Sequence, residues 1–133
     1  MDNRPRLVPI ARVEDIPEAG LLFTFRDGPF EESGILVRAA GVVRAWRNRC
    51  RHLSVRLDHG ETGRVQAPDG WHLRCTEHGA MYRPDTGECV TGPCRGSHLR
   101  PLPIREQAGT VFLEADGLGG LFADTPSALD FSS

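Results

Sequence analysis

Two short loops in this chain each join one thiol to one imidazole: Cys50-Arg51-His52 and Cys75-Thr76-Glu77-His78. Thiolate is a soft charged donor and imidazole a borderline neutral one, and together they select transition metals over magnesium or calcium. Two of each make a complete four-donor set. A two-iron, two-sulfur cluster uses such a set with the cysteines on one iron and the histidines on the other. Zinc is the rival occupant, but zinc modules space their ligands as Cys-x-x-Cys and His-x(3–5)-His, and Cys-x-His fits that poorly. The bland reading is four unrelated buried or surface side chains, which their paired spacing argues against.

Two neutral imidazoles in place of two thiolates bring the formal charge of the oxidised cluster to zero and of the reduced cluster to minus one. Reduction is then easier than in an all-thiolate cluster, with potentials of roughly −150 to +300 mV against about −400 mV for plant-type ferredoxins.

The loops must meet at one point, so the remaining chain reads as scaffold. Residues 7–13 are apolar, with Pro9 suited to an edge strand. Residues 15–20 read as a turn and 21–26 as a strand broken by Asp27-Gly28-Pro29. Residues 35–38 and 42–46 flank Ala39-Ala40-Gly41 as a hairpin that runs into Cys50. A turn-rich connector, 57–70, follows, and a short strand at 71–74 leads into Cys75. Met81-Tyr82 precedes a tight turn at Pro84-Asp85-Thr86-Gly87, after which Glu88-Cys89-Val90 returns. Residues 99–105 and 110–114 form a last strand pair, and 127–131 one helical turn. Many short strands between frequent turns predict an all-β domain, with both loops at strand ends where a rigid scaffold presents a site.

The 133 residues form one domain on this reading, with 39% hydrophobic and 26% charged residues as in an ordinary soluble protein. A net charge of −2 gives no field toward nucleic acid or a membrane. All sixteen basic residues are arginine. The N-terminus lacks the apolar core of a secretory signal, and no apolar run approaches the ~20 residues of a membrane helix. The expected location is the cytoplasm, where four cysteines point to metal or redox chemistry before a disulfide framework.

From Cys50 to about Leu102 the sequence resembles a Rieske domain, most specifically in Cys75-Thr76-Glu77-His78-Gly79-Ala80-Met81-Tyr82. Gly92-Pro93 falls where that family places a glycine-proline loop over the cluster. The resemblance implies three stacked antiparallel sheets, the Rieske fold, with the cluster at the tip of a subdomain of about residues 46–96. It implies cluster ligation by Cys50, His52, Cys75 and His78, a hydrogen bond from Tyr82 to a cysteine sulfur, and cover from Gly92 and Pro93. In that family the histidines bind iron through one nitrogen and leave the other at the surface, which would make His52 and His78 the electron exit.

Departures narrow the class. Quinol-oxidising members carry an extra, disulfide-bonded cysteine in each loop, where this chain has Val55 and Glu77, and a serine where it has Ala80. Ring-hydroxylating oxygenases add a large catalytic domain with mononuclear iron, for which 133 residues leave no room. The balance favours a ferredoxin-like type.

Other residues carry weaker signals. Cys89 and Cys94 could form a disulfide or a redox sensor, and a reducing compartment favours two small, partly buried thiols instead. His59, His72 and His98 read as solvent-facing or structural. Arg38, Arg44, Arg47, Arg49, Arg51 and Arg56 run without an acid from 33 to 57, while every charge after Arg105 is acidic. The run is either a basic rim for an acidic redox partner or a solvated strand face. From about residue 116 the chain reads as an acidic, glycine-containing tail.

The function expected is electron transfer through a 2Fe-2S cluster, as a soluble ferredoxin-like carrier between a reductase and a terminal oxidoreductase. That makes the chain an oxidoreductase component more readily than a stand-alone enzyme, with redox proteins as partners, no nucleic acid and no membrane span. The alternative is a redox-sensing or accessory subunit of a larger complex, such as a nitrite-reductase-like small subunit.

Overall fold

The computed structural model describes residues 6–50, 55–59, 63, 65–76, 79–92 and 94–118. Within them the chain is nearly all β. Nine strands run in order: β1 (Leu7–Arg12), β2 (Leu21–Asp27), β3 (Phe30–Ala39), β4 (Val42–Arg47), β5 (Leu73–Arg74), β6 (Met81–Tyr82), β7 (Cys89–Thr91), β8 (Ile104–Gln107) and β9 (Thr110–Glu114). They form three antiparallel sheets, ordered β1-β9-β8, β2-β3-β4 and β5-β6-β7. The short helices are 3-10 turns at Val13–Asp15 and Ala115–Gly117.

The sheet β2-β3-β4 feeds two cores because strand side chains alternate between faces. Ile35, Val37 and Trp46 join Leu57, Val65, Leu73, Tyr82, Cys89 and Leu99 in one core. Their neighbours Leu36 and Ala45 face the other way, into a core with Phe25, Ile16, Leu102, Val111 and Leu113. At roughly 1.5–3 kcal/mol per fully buried large aliphatic side chain, these two faces supply the main driving force for stacking the sheets. Polar alternation is lost along residues 35–37 of β3 because both of its faces are covered.

Local chemistry sets the turns. Ala40 and Gly41 both have positive φ, 54° and 77°, the geometry of a two-residue hairpin whose twist matches the flanking strands. Strand β1 does lie at a sheet edge with Pro9, and its pairing slips between Pro9 and Ala11. Three expectations need correction. Strand β3 begins at Phe30, not near Ile35: Glu31, Glu32 and Ser33 hide it from a hydrophobicity reading, yet they pair with Arg26, Phe25 and Thr24 respectively. Trp71 and His72 are not strand, since Asp69 Oδ1 accepts both their N–H groups, at 2.9 and 3.0 Å. Residues 99–103 are not strand either. Pro101 and Pro103 interrupt the ladder, and the segment instead runs along β4 through Arg47 N to Arg100 O and Leu102 N to Ala45 O. The proposed helical turn at 127–131 and most of the acidic tail lie outside the described residues.

Trp46 joins the β2-β3-β4 sheet to the β6–β7 hairpin. Its indole N–H donates to Pro84 O at 2.9 Å, buried, and its ring lies against Gly87. Gly87 has φ +78°, and a Cβ there would stand 2.8 Å from the Trp46 ring.

A second tie centres on Asp58, whose side chain is buried. Its carboxylate accepts from Asn48 Nδ2 at 3.0 Å, from Arg56 Nε and Nη2 at 2.9 Å each, and from Gly63 N at 2.8 Å. Burial alone would raise its pKa. The Arg56 guanidinium, the Gly63 N–H and the Asn48 amide outweigh that and hold it well below the usual carboxylate range.

Two stability predictions follow from these ties. Gly87→Ala adds a left-handed backbone penalty to overpacking against Trp46, and should cost about 2–4 kcal/mol in urea denaturation. Because the folded pKa of Asp58 lies below the unfolded value near ~4, its stabilisation is present above that pH and lost as pH falls through the folded value. Asp58→Asn should therefore be less stable at pH 7. Its stability should also fall less steeply than the wild type's below about pH 4, by up to about 1.4 kcal/mol per pH unit. Denaturant titrations at fixed pH measure both effects.

Candidate functional site

Strand β4 ends at Arg47, and Cys50 follows three residues later. Two pairs hold the chain there. Arg47 Nη2 meets Asp27 Oδ2 at 2.8 Å with both side chains 3% exposed, and the Arg49 guanidinium reaches both oxygens of Glu32 at 3.1–3.2 Å. Arg56 pairs with Asp58. The arginine run is therefore no simple basic rim: Arg47, Arg49 and Arg56 are committed to carboxylates, and Arg38 and Arg44 are exposed on the β3–β4 hairpin. Arg51 lies outside the described residues.

Each of the two loops is pinched at its base. Cys50 N donates to Val55 O at 2.6 Å. Cys75 N donates to Ala80 O at 2.8 Å, and Gly79 N, at φ +71°, returns to Cys75 O at 2.8 Å. The loops are also tied to each other. Leu57 O accepts from Thr76 N at 2.8 Å and Thr76 Oγ1 at 3.0 Å, while Leu57 N donates to Asn48 Oδ1 at 2.8 Å. Asn48, Asp58 and Thr76 carry this geometry, and no spacing pattern singles them out. Their only sequence signal is polarity beside a cysteine loop.

The structure brings Cys50, Cys75 and Tyr82 into one core, at 1%, 0% and 0% exposure. The Tyr82 hydroxyl lies 3.5 Å from Cys50 Sγ and 3.0 Å from Cys94 Sγ. Cys94 Sγ is 3.0 Å from Cys89 Sγ, and burial, then the Cys94 thiol beside it, pushes the Cys89 thiol up to about 12. None of the four cysteines is in a disulfide. Gly92, at φ +101°, rests on the second loop: a Cβ there would meet Ala80 Cα at 2.9 Å and Ala80 Cβ at 3.1 Å. His52, His78 and Pro93 lie outside the described residues. Among the described residues no three His, Cys, Asp or Glu side chains converge as a metal site.

The remaining described histidines lie away from the two cysteine loops' paired bonds, and two of them have local partners. His72 Nδ1 pairs with Asp69 Oδ2 at 2.6 Å, and Asp69 is held at about 2 by the N–H of Trp71 and by His72. His98 bridges to Glu88 through backbone pairing, and His59 is exposed.

The residues present fit an iron–sulfur cluster. Two sulfurs are shielded from water on two mutually tied loops, a hydroxyl stands within reach of one of them, and Gly92 sits where a Cβ would collide with Ala80.

Comparison with known proteins agrees. Oxidoreductase NdmD of Pseudomonas putida is 32% identical over 111 residues, covering 78% of this chain and 18% of its own. The terminal oxygenase of carbazole 1,9a-dioxygenase from Novosphingobium sp. KA1 superimposes with TM-score 0.59 at 30% identity, over 83% of this chain and 30% of that one. This chain thus spans less than a third of either relative. A ferredoxin from Sphingomonas yanoikuyae B1 shares the fold almost end to end, with TM-score 0.59 at 19% identity over 82% of this chain and 98% of that one. The family model of the Rieske [2Fe-2S] domain matches residues 6–107. Three antiparallel sheets with two buried, loop-borne cysteines, matched by that model over most of the length, make this chain a member of the Rieske [2Fe-2S] domain family, whose cofactor is a two-iron, two-sulfur cluster.

Proposed function

We propose that Cys50, His52, Cys75 and His78 hold the cluster, and that the chain moves single electrons between a reductase and a terminal oxidoreductase. The observation that carries this reading is the pair of buried cysteines on loops joined through Leu57 and Thr76. When bound, the cluster supplies reversible one-electron uptake at a mild potential. The protein's own groups position and tune it. Burial keeps water from the two sulfurs. The Tyr82 hydroxyl, 3.5 Å from Cys50 Sγ, donates to a sulfur that gains negative charge on reduction, and so favours the reduced form. Gly92 and Pro93 would cover the cluster, a reading that the close approach of Gly92 to Ala80 supports.

In this reading the chain is one domain, with residues 46–96 as the cluster-binding subdomain and His52 and His78 as the electron exit. Its relatives' names, an oxidoreductase and the terminal oxygenase of a dioxygenase, support a role in oxidoreductase systems. The partners are redox proteins rather than nucleic acid or membrane. The cytoplasm is the location that suits four cysteines outside any disulfide. Among the described residues no helix is long and apolar enough to cross a membrane.

The protein should purify brown, with iron and acid-labile sulfide in equal amounts, and reduced EPR should give an average g value below that of all-thiolate clusters. Cys50→Ser and Cys75→Ser should each lose the cluster. A colourless protein with stoichiometric zinc would end this reading. Reduction by a reductase and reoxidation by a terminal oxidoreductase, followed in stopped flow, separates a carrier from an accessory subunit.

Tyr82→Phe preserves the buried ring and removes one donor. The cluster potential should fall by about 30–60 mV in protein-film voltammetry, where 59 mV is tenfold for one electron. An unmoved potential would show that Tyr82 does not bond the cluster's sulfur ligand.

A further inference from the structure

Cys89 and Cys94 stand outside the proposed ligand set, yet their sulfurs lie 3.0 Å apart, closer than two unrelated buried thiols would sit. The backbone around them is already folded for this approach. Gly96 N donates to Cys89 O at 3.0 Å, Cys89 N to Ser97 O at 2.8 Å, and Ser97 N and Oγ hold Cys94 O at 2.9 and 2.6 Å. A disulfide at about 2.05 Å needs only a further closure of about 1 Å, within the reach of side-chain rotation. The two thiols differ in access: Cys89 is fully buried and Cys94 half-buried. Cys94 is also the sulfur 3.0 Å from the Tyr82 hydroxyl, whose other sulfur neighbour is Cys50.

We propose that Cys89 and Cys94 are a redox-modification site, a dithiol that small-molecule disulfides of the glutathione class oxidise through Cys94 to an intramolecular disulfide. The Cys94 thiolate attacks one sulfur of the oxidant RSSR, forming a mixed disulfide and releasing one thiolate. The Cys89 thiolate then attacks the Cys94 sulfur, closing the Cys89–Cys94 bond and releasing the second. The protein loses two electrons and two protons, and RSSR becomes two RSH.

The site bears on the proposed function through Tyr82, and this part rests on Cys50 being a cluster ligand. The Cys89 thiol donates to Thr91 O at 3.2 Å, and in this proposal the Cys94 thiol donates to the Tyr82 oxygen 3.0 Å away. A hydroxyl that accepts one bond donates its own more strongly. In the disulfide Cys94 has no hydrogen, so the bond from Tyr82 to Cys50 Sγ weakens and the reduced cluster loses stabilisation.

The test is a redox titration of the full chain with mixtures of glutathione and glutathione disulfide, quenched by alkylation and read by intact mass and peptide mapping. Cys89 and Cys94 should lose alkylation together, without retaining glutathione and without dimers. Full alkylation of both at every ratio, or glutathione held stably on Cys94 alone, overturns the site. This arm needs no cluster, so it stands or falls separately from the ligand assignment. In the second arm, oxidation of the pair should lower the reduction equilibrium constant of the cluster roughly threefold, about 28 mV at 59 mV per tenfold. The Cys89→Ser/Cys94→Ser variant should show no response to the oxidant. A potential that stays or rises on oxidation of the wild type overturns the coupling through Tyr82.

Discussion

The backbone of one residue, Leu57, holds the two cysteine loops in register. The Leu57 carbonyl accepts from both the N–H and the hydroxyl of Thr76, and its N–H is taken by Asn48. Asn48 lies two residues before Cys50 and Thr76 one after Cys75, so the same leucine is bonded to both loops. Leu57 itself is fully buried in the core shared with both cysteines. Buried peptide groups need partners, and here the partners are the segments that must not drift apart. Asp58 locks the arrangement from behind by holding the Asn48 amide, Arg56 and Gly63 at once.

That clamp works only because the β2-β3-β4 sheet gives it a fixed base. The sheet has one face toward the loop-bearing strands and one toward β1, β8 and β9, and its apolar residues alternate accordingly. Trp46 is the main bridge on the loop side, bonded to Pro84 and seated on Gly87. The buried Arg47–Asp27 pair fixes the end of β4 from which the chain enters the first loop. A buried pair of this kind adds little net stability, because desolvation offsets its attraction, but it resists any other register of β2, β3 and β4.

The same packing creates a line of sulfur and hydroxyl groups from Cys89 through Cys94 and Tyr82 to Cys50. Tyr82 reaches it from β6, between β5 and β7, so its ring is held on both sides by strands that lead toward Cys75 and away from Cys89.

The sequence by itself determined the all-β class, most strands and the donor types, because these depend on local chemistry: alternation, turn residues, and cysteine beside histidine. The edge position of β1 was legible in Pro9, and the β3–β4 turn in Ala40-Gly41. Only the tertiary structure decided what depends on neighbours distant in sequence. Glu31, Glu32 and Ser33 become strand because β2 pairs with them and because Arg49 meets Glu32, which no hydropathy pattern reveals. Residues 99–103 leave the strand they were expected to join, since prolines forbid a ladder there while Ala45 and Arg47 offer bonds. The arginine run looked like one charged feature in sequence and separates in space, because each carboxylate partner arrives from a different segment. Cys89 and Cys94 are near in sequence, but their facing sulfurs follow from the bonds among Cys89, Gly96 and Ser97. Spacing states which groups are available, and long-range hydrogen bonding decides which of them face one another.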